Sequence, residues 1–437
     1  MLFSPRANPP TPRQDRGSSA GVTSPARPFF GWRVVAAAFA VAVFGWGFGF
    51  YGPPIYLNAV VERTGWSVGL VSIAVTVHFL VGVAVIANLP RLHRAFGIPR
   101  VTFSGAVILA AGVLGWSLAA EPWQLFAAAL VSGIGWVTLG AAAINALVAP
   151  WFVRARPSAL GMAYNGASIG GVIFSPLWVS LIAGLGFAGA AVVAGAVMVC
   201  VVAILARTVL SVTPEHLGQA PDGEVSGAAS ASVTRPFATP LPGRTLWRNR
   251  RFLTLATGTA LGLFAQIGLI AHLFSILVPA LGPQGAGLAM ALATASAIAG
   301  RMLVGWLMPV RADRRLVACA SYAVQVAGSL MLLAGAGTHV PLLLGGVVLF
   351  GAGIGNATSL PPLVAQAEFV PADVTRVVPL VVAIGQAAYA FAPAAFGLLR
   401  MASSGSAGGG HDTVLLFGAA ALVQVLAILC FLVGRRG

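Results

Sequence analysis

Residues 293–306 read Ala-Thr-Ala-Ser-Ala-Ile-Ala-Gly-Arg-Met-Leu-Val-Gly-Trp, and Arg301 is the one charge in this apolar run. Insertion scales put an arginine at mid-bilayer at roughly 2.5–3.5 kcal/mol unfavourable, so its side chain must face protein, water or an anion instead of lipid. A guanidinium presents a planar fork of donors and does not lose its proton, which suits it to hold a carboxylate. Arg301 stands about seven residues from the end of its run, roughly 10 Å deep at 1.5 Å per residue. That is too deep for the chain to snorkel easily to the interface. The competing assignment is an arginine that only satisfies backbone carbonyls.

Two histidines, His78 and His272, also lie inside apolar runs, and both are candidates to carry a proton near neutral pH. The competing assignment is a neutral ring hydrogen-bonded to a neighbouring helix. Gln386 and Tyr389, at i and i+3, would share one helix face, and Asn165 is placed to line a path. Together Arg301, His272, Gln386, Tyr389 and Asn165 form the expected substrate-binding set, with His272 and His78 as the proton-linked pair. The remaining polar side chains within runs, Tyr51, Asn145, Tyr164, Gln266, Gln325 and Asn356, read as interhelical hydrogen-bonding groups worth about 0.6 kcal/mol each.

What must position these groups is a membrane bundle. The 437 residues are 58% hydrophobic and 8% charged, with a mean hydropathy of +0.92; soluble chains carry about 25% charged residues. Apolar runs of about 20 residues, the length that spans a bilayer, lie near 34–51, 68–88, 101–120, 125–148, 159–179 and 187–205, then near 252–277, 288–308, 316–336, 342–366, 377–399 and 414–433. The expected architecture is all-α, with twelve transmembrane helices in two six-helix bundles. The expected divisions are a disordered tail (1–28), a first bundle (29–206), a polar linker (207–250) and a second bundle (251–437). All 25 basic residues are arginine. With both termini cytoplasmic, the outer loops hold only Arg63 and Arg400, so the positive-inside tendency selects that orientation. Glu62, Glu121 and Asp412 read as solvated acids of outer loops, with no acidic residue inside any span and no Asp, Glu or Cys pair within or beside the spans.

The segment 151–166 reads Trp-Phe-Val-Arg-Ala-Arg-Pro-Ser-Ala-Leu-Gly-Met-Ala-Tyr-Asn-Gly. It resembles the fifth-helix signature of the monocarboxylate porter family of the major facilitator superfamily, Y-F-x-[K/R]-[R/K]-R-x-L-A-x-G-x-A-x-A-G. Phe152, Arg154, Arg156, Ala159, Gly161, Ala163 and Gly166 match in register, Trp151 keeps an aromatic, and Ala155, Ser158 and Asn165 depart. Gly31-Trp32, Gly65-Trp66-Ser67 and Gly300-Arg301 with Gly305-Trp306 are similar to the bacterial branch of the same family. The likeness covers residues 30–206 and 250–435, and implies a major facilitator fold that moves small organic anions by alternating access. Where the family tends to carry a carboxylate or lysine, this chain has Arg27-Pro28-Phe29-Phe30, Pro53, Arg94 and Ala297.

The function expected is therefore secondary transport of a small organic anion, a monocarboxylate, across the cell's inner membrane, by proton symport or exchange. The alternative is efflux of a hydrophobic or neutral compound with Arg301 structural. An enzyme would need acid/base or metal constellations that the spans do not supply. The glycine-rich stretches Gly166–Gly171 and Gly351–Gly355 lie inside apolar helices and the chain has no lysine, which excludes phosphate loops. Cys200, Cys319 and Cys430 stand singly, so no disulfide or metal site is expected. No cofactor and no nucleic-acid partner are implied; the partners are substrate and lipid, and the carrier reads as a monomer.

Overall fold

In the computed structural model, residues 28–223, 243–309, 312–335, 337–404 and 414–435 are described, and every regular element among them is helical. The first half runs α1 (Gly31–Gly49), α2 (Gly52–Thr64), α3 (Val68–Phe96), α4 (Ile98–Leu118), α5 (Pro122–Leu139), α6 (Ala141–Val148) and α7 (Arg156–Leu205). Two short helices, α8 (Pro214–Leu217) and α9 (Gly243–Leu246), belong to the connecting segment. The second half runs α10 (Arg250–Leu307), α11 (Arg314–Ala334), α12 (Val340–Ala357), α13 (Leu360–Glu368), α14 (Pro371–Ala390), α15 (Ala392–Ser404) and α16 (Val414–Arg435).

Ten helical segments are long and apolar enough to cross a membrane, fewer than the twelve runs expected. The difference lies in α7 and α10. The sequence separates runs at about 180–186 and 278–287, yet both stretches are helical, interrupted only at Gly186 (φ 71°) and Gly282 (φ 68°). Glycine has no Cβ to oppose the left-handed conformation, so one residue suffices to break each helix.

Prolines set the other breaks. Pro53 and Pro54 lie at the start of α2 and separate it from α1; Pro361 and Pro362 do the same for α13. A proline has no N–H, so it strips the hydrogen bond from the carbonyl four residues earlier. The carbonyl freed by Pro53 is that of Gly49. Caps close the remaining ends: Ser67 accepts from Leu70 N, Asn249 from Arg251 N and Phe252 N, and Asp313 from Arg315 N and Leu316 N.

Glu121 lies in the exposed loop before α5, as expected, and caps that helix in a reciprocal capping box with Gln124. Other loop assignments are corrected. Glu62 and Arg63 lie inside α2, where Arg63 Nη2 donates to Ala119 O (2.8 Å) at the end of α4. Arg400 lies inside α15. Two acids stand near span ends: Glu368 ends α13, and Asp373 is buried in the first turn of α14. Asp412 and residues 1–27 lie outside the described residues. The described start of the connecting segment packs on the first half. Gln219 Oε1 accepts from Phe30 N (3.0 Å), and the Asp222 carboxylate accepts from Val153 N, Arg154 N and Ala155 N at 2.8–3.1 Å.

Contacts between the halves gather at one end. Ala394 N donates to Thr76 Oγ1 (3.0 Å), and Phe79 meets Tyr389 edge-on at 5.8 Å. A Cβ on Gly397 would strike Ser72, one on Gly69 would strike Met401, and one on Gly287 would press on Val179 and Ser175. All of these lie in the beginning of α3, the middle of α7 and α10, and the stretch 389–401. That is the end remote from the chain termini, and there the halves meet.

Candidate functional site

The break between α1 and α2 is the local cause of the site. Both Phe50 N and Tyr51 N donate to Trp46 O (3.0 and 2.9 Å), so Gly47 O loses its helical donor just as Gly49 O does. Two side chains replace those donors. Trp178 Nε1 donates to Gly47 O (3.1 Å), and His78 Nε2 lies 2.9 Å from Gly49 O. With Nε2 donating, Nδ1 is left to accept from Ser132 Oγ (2.8 Å), which itself accepts from Trp116 Nε1 (3.1 Å). His78 is 2% exposed, and both ring nitrogens are committed to structure.

Tyr51, carried on this break, reaches across to the second half. Its phenol lies against Thr294 and within electrostatic reach of Arg301. Gly171 on α7 makes room, since a Cβ there would strike both the Tyr51 ring and Thr294. Arg301 is partly exposed; its Nε donates to Gly355 O (2.9 Å) on α12. One N–H thus fixes the guanidinium to the second half. The carbonyl-binding role proposed against Arg301 therefore holds for one of its five N–H groups.

Aromatic rings pack around the α1–α2 break. Trp46 meets Trp136 edge-on at 5.0 Å and Tyr164 at 6.4 Å. Phe50 contacts Tyr51 (5.0 Å) and Phe79 (6.2 Å), and Phe79 in turn meets Tyr389. A ladder of rings therefore runs from Tyr51 to Tyr389 across the two halves. Tyr51 and Tyr389 are both partly exposed.

The other candidates are less united. Gln386 is half-buried one turn before Tyr389. Asn165 is exposed; at 3.6 residues per turn it points about 120° away from the Gly171 direction of the same helix. His272 is 0% exposed, with Nε2 3.0 Å from Pro393 O and Nδ1 3.4 Å from Arg400 Nη1. Arg400 also donates to Ser275 Oγ (2.7 Å). His272 thus holds the start of α15 at the end where the halves meet. Asn145 and Tyr164, read as interhelical groups, do bond to one another (2.6 Å). Ser321, Tyr322 and Gln325 form a separate polar seam within the second half, all three buried with unpartnered polar atoms.

Sequence reasoning passed over Tyr51, Trp46 and Trp136 as site residues. The available signal was Tyr51-Gly-Pro-Pro: a polar aromatic placed just before two helix-breaking prolines inside an apolar run. Ala297, where the family's aspartate would stand, is buried against Gly355, whose Cα admits no Cβ beside Ala297 O. Among the described residues no group of three His, Cys, Asp or Glu side chains could hold a metal ion.

Comparisons with known proteins agree with this architecture. The family model of the Major Facilitator Superfamily matches residues 35–393. Human monocarboxylate transporter 11 is 27% identical over 297 residues, covering 64% of this chain and 56% of the relative. The mouse protein of the same name is 28% identical over 291 residues, covering 64% and 59%. The chain therefore spans less than two thirds of the length of the curated relatives it matches. Among solved structures, the nucleoside transporter NupG superposes with a TM-score of 0.68 at 13% identity, over 93% of this chain and 99% of its own. A bacterial homologue of the human lysosomal transporter Spinster, in an inward-facing and occupied conformation, gives 0.66 at 15% identity, over 95% and 98%. At such identities the likeness shows the fold alone.

Proposed function

This chain belongs to the Major Facilitator Superfamily and is a multi-pass membrane transporter, and on that premise we propose that it carries a small organic anion, a monocarboxylate, by alternating access. The observation that carries this reading is Arg301: a permanent charge deep in an apolar helix, tied by one N–H and partly exposed opposite Tyr51. Arg301 would take the carboxylate through its outer fork, and Tyr51 would donate to the same group from the other half. A ligand gripped from both halves reports its presence to both, which is what coupling of occupancy to closure requires. Gln386 and Tyr389 would contact the remainder of the substrate.

We read α7 and α10 as two crossings each. At about 1.5 Å per residue, helices this long exceed twice the roughly 30 Å hydrocarbon core. The count is then twelve, with both termini cytoplasmic in the inner membrane and the end where the halves meet outward. The divisions 1–28, 29–206, 207–250 and 251–437 follow. His78 and His272 are bound by structural partners, which favours exchange, or a proton carried on the substrate, over a protein-borne proton. The Gly355 bond also favours a second reading, efflux of a neutral compound with Arg301 as a staple.

Uptake by purified protein in proteoliposomes separates them. Two charge-assisted hydrogen bonds at about 1.5–3 kcal/mol each imply at least a hundredfold loss of affinity on Arg301→Ala. Unchanged uptake of every carboxylate by that variant removes the anion reading and leaves the efflux carrier.

A further inference from the structure

We propose that Thr294 is a positioning residue for the carried anion: between binding events its hydroxyl oxygen accepts the hydrogen bond of the Tyr51 phenol, and it yields that bond to a carboxylate held at Arg301. The inference rests on the anion reading above. Gly171 makes the contact possible. A methyl in place of its α-hydrogen would stand 2.6 Å from Cε2 and Cζ of Tyr51 and 2.8 Å from Cγ2 of Thr294, well inside the packing distance of about 3.5–4.0 Å between carbons. Methyls on Gly166 and Gly170 of the same helix would instead strike Phe39 O and Val43 O of α1. Those two glycines bring α7 against its own half. Gly171 lets a ring of the first half reach a helix of the second, a close approach that any side chain at this position would block.

Counting protons sets the direction of the contact. Thr294 is 4% exposed, and its Oγ1 donates to Met290 O (3.0 Å) one turn earlier on α10. A hydroxyl has one proton and two lone pairs, so with its proton spent this oxygen can only accept. The phenol lying against it has one proton to donate. Thr294 and Arg301 are seven residues apart, close to two helical turns, so they share a face of α10 at a spacing of about 10 Å. Tyr51 is against the first and within electrostatic reach of the second. Hydrogen bonds to a carboxylate are roughly twice as strong as those between neutral groups. A substrate seated on Arg301 therefore takes the phenol O–H by rotation about the Cζ–Oη bond, and the proton stays on the phenol throughout. When the substrate leaves, the bond returns to Thr294. The threonine thus competes with the substrate for one donor and favours release.

Two measurements on the full-length protein test this. The first needs no substrate: thermal midpoints in detergent for Tyr51→Phe, Thr294→Val and the double variant. The single losses, about 1–4 °C for one neutral hydrogen bond, should not add in the double variant. Additive losses overturn the contact and leave the anion reading intact. The second is uptake of pyruvate and of benzoate into proteoliposomes. Thr294→Val keeps the shape but removes the competing acceptor, so KM should fall by about three- to tenfold. Thr294→Ser keeps the hydroxyl and should keep the wild-type KM. A threonine that only packs would leave KM unchanged or raise it on substitution by valine, and either result overturns the role. Gly171→Ala should raise KM by displacing Tyr51. Thr294→Ser in that background removes Cγ2 and should recover part of the loss; no recovery overturns the part given to Gly171. Uptake of neither acid by the wild-type protein, with midpoint losses that still fail to add, overturns the anion reading and the exchange of partners together, and keeps the Tyr51–Thr294 contact.

Discussion

Replacing His78 tells a structural histidine from a proton carrier. Its Nε2 supplies the hydrogen bond that Pro53 denies to Gly49 O. His78→Phe keeps the ring's volume but leaves that buried carbonyl unsatisfied, a cost of about 1–3 kcal/mol. Ser132 loses less, because its hydroxyl still has Ala129 O and Trp116 Nε1 within 3.1 Å. For a net cost of about 2 kcal/mol, the thermal midpoint should drop by roughly 4–8 °C on the scaling for domains of 150–250 residues. His78→Gln sets an amide N–H near the position of Nε2 and should recover most of that loss. Pro53→Ala restores a main-chain donor to Gly49 O. In that background His78→Phe should cost about 1 kcal/mol less, a coupling that a double-mutant cycle measures. The assays are the thermal midpoint in detergent and the pH profile of proteoliposome uptake. A His78→Gln variant with a normal midpoint and an abolished pH dependence would refute the structural assignment and make His78 the proton carrier.

Other outcomes follow from the same structure. Glu368→Gln strands the Arg315 guanidinium, 1% exposed, without its carboxylate. Breaking a buried pair costs about 3–5 kcal/mol, and the low end applies because Thr254, Phe431 O and Arg251 O still accept from Arg315. An unchanged midpoint would show that those bonds suffice. At Asp222, slight burial raises the carboxyl's pKa, but the N–H groups of Arg154, Ala155 and Val153 outweigh it and hold it below 3.8. A depressed folded pKa means that the anchor contributes fully above the ordinary aspartate value, about 3.9, and fails as pH falls through the depressed one. Limited proteolysis of the connecting segment should therefore accelerate in acid and, at neutral pH, in Asp222→Ala. Equal cleavage of both proteins at every pH would refute the anchor.

The apolar runs, their polar interruption and Arg301 were legible in the sequence because each rests on composition over tens of residues, which tertiary contacts do not alter. The signature at 151–166 likewise carried the family. Breaks near 186 and 282 were legible as well; that a single left-handed glycine makes each one, with helix on both sides, was not, since only backbone conformation separates an apolar helix from an apolar turn.

Partnership was decided by the tertiary structure alone. His78 and His272 look equally titratable in the sequence, yet each meets a carbonyl beside a proline-broken helix, 29 and 121 residues away in the chain. Tyr51 looked like one polar group among many until the fold set it across from Arg301. Glu368 and Arg315, 53 residues apart, pair only because α11 and α13 meet at one end of their half. Sequence fixes which residues must leave lipid. Which group each then meets depends on where helices break and cross, and those contacts are long-range.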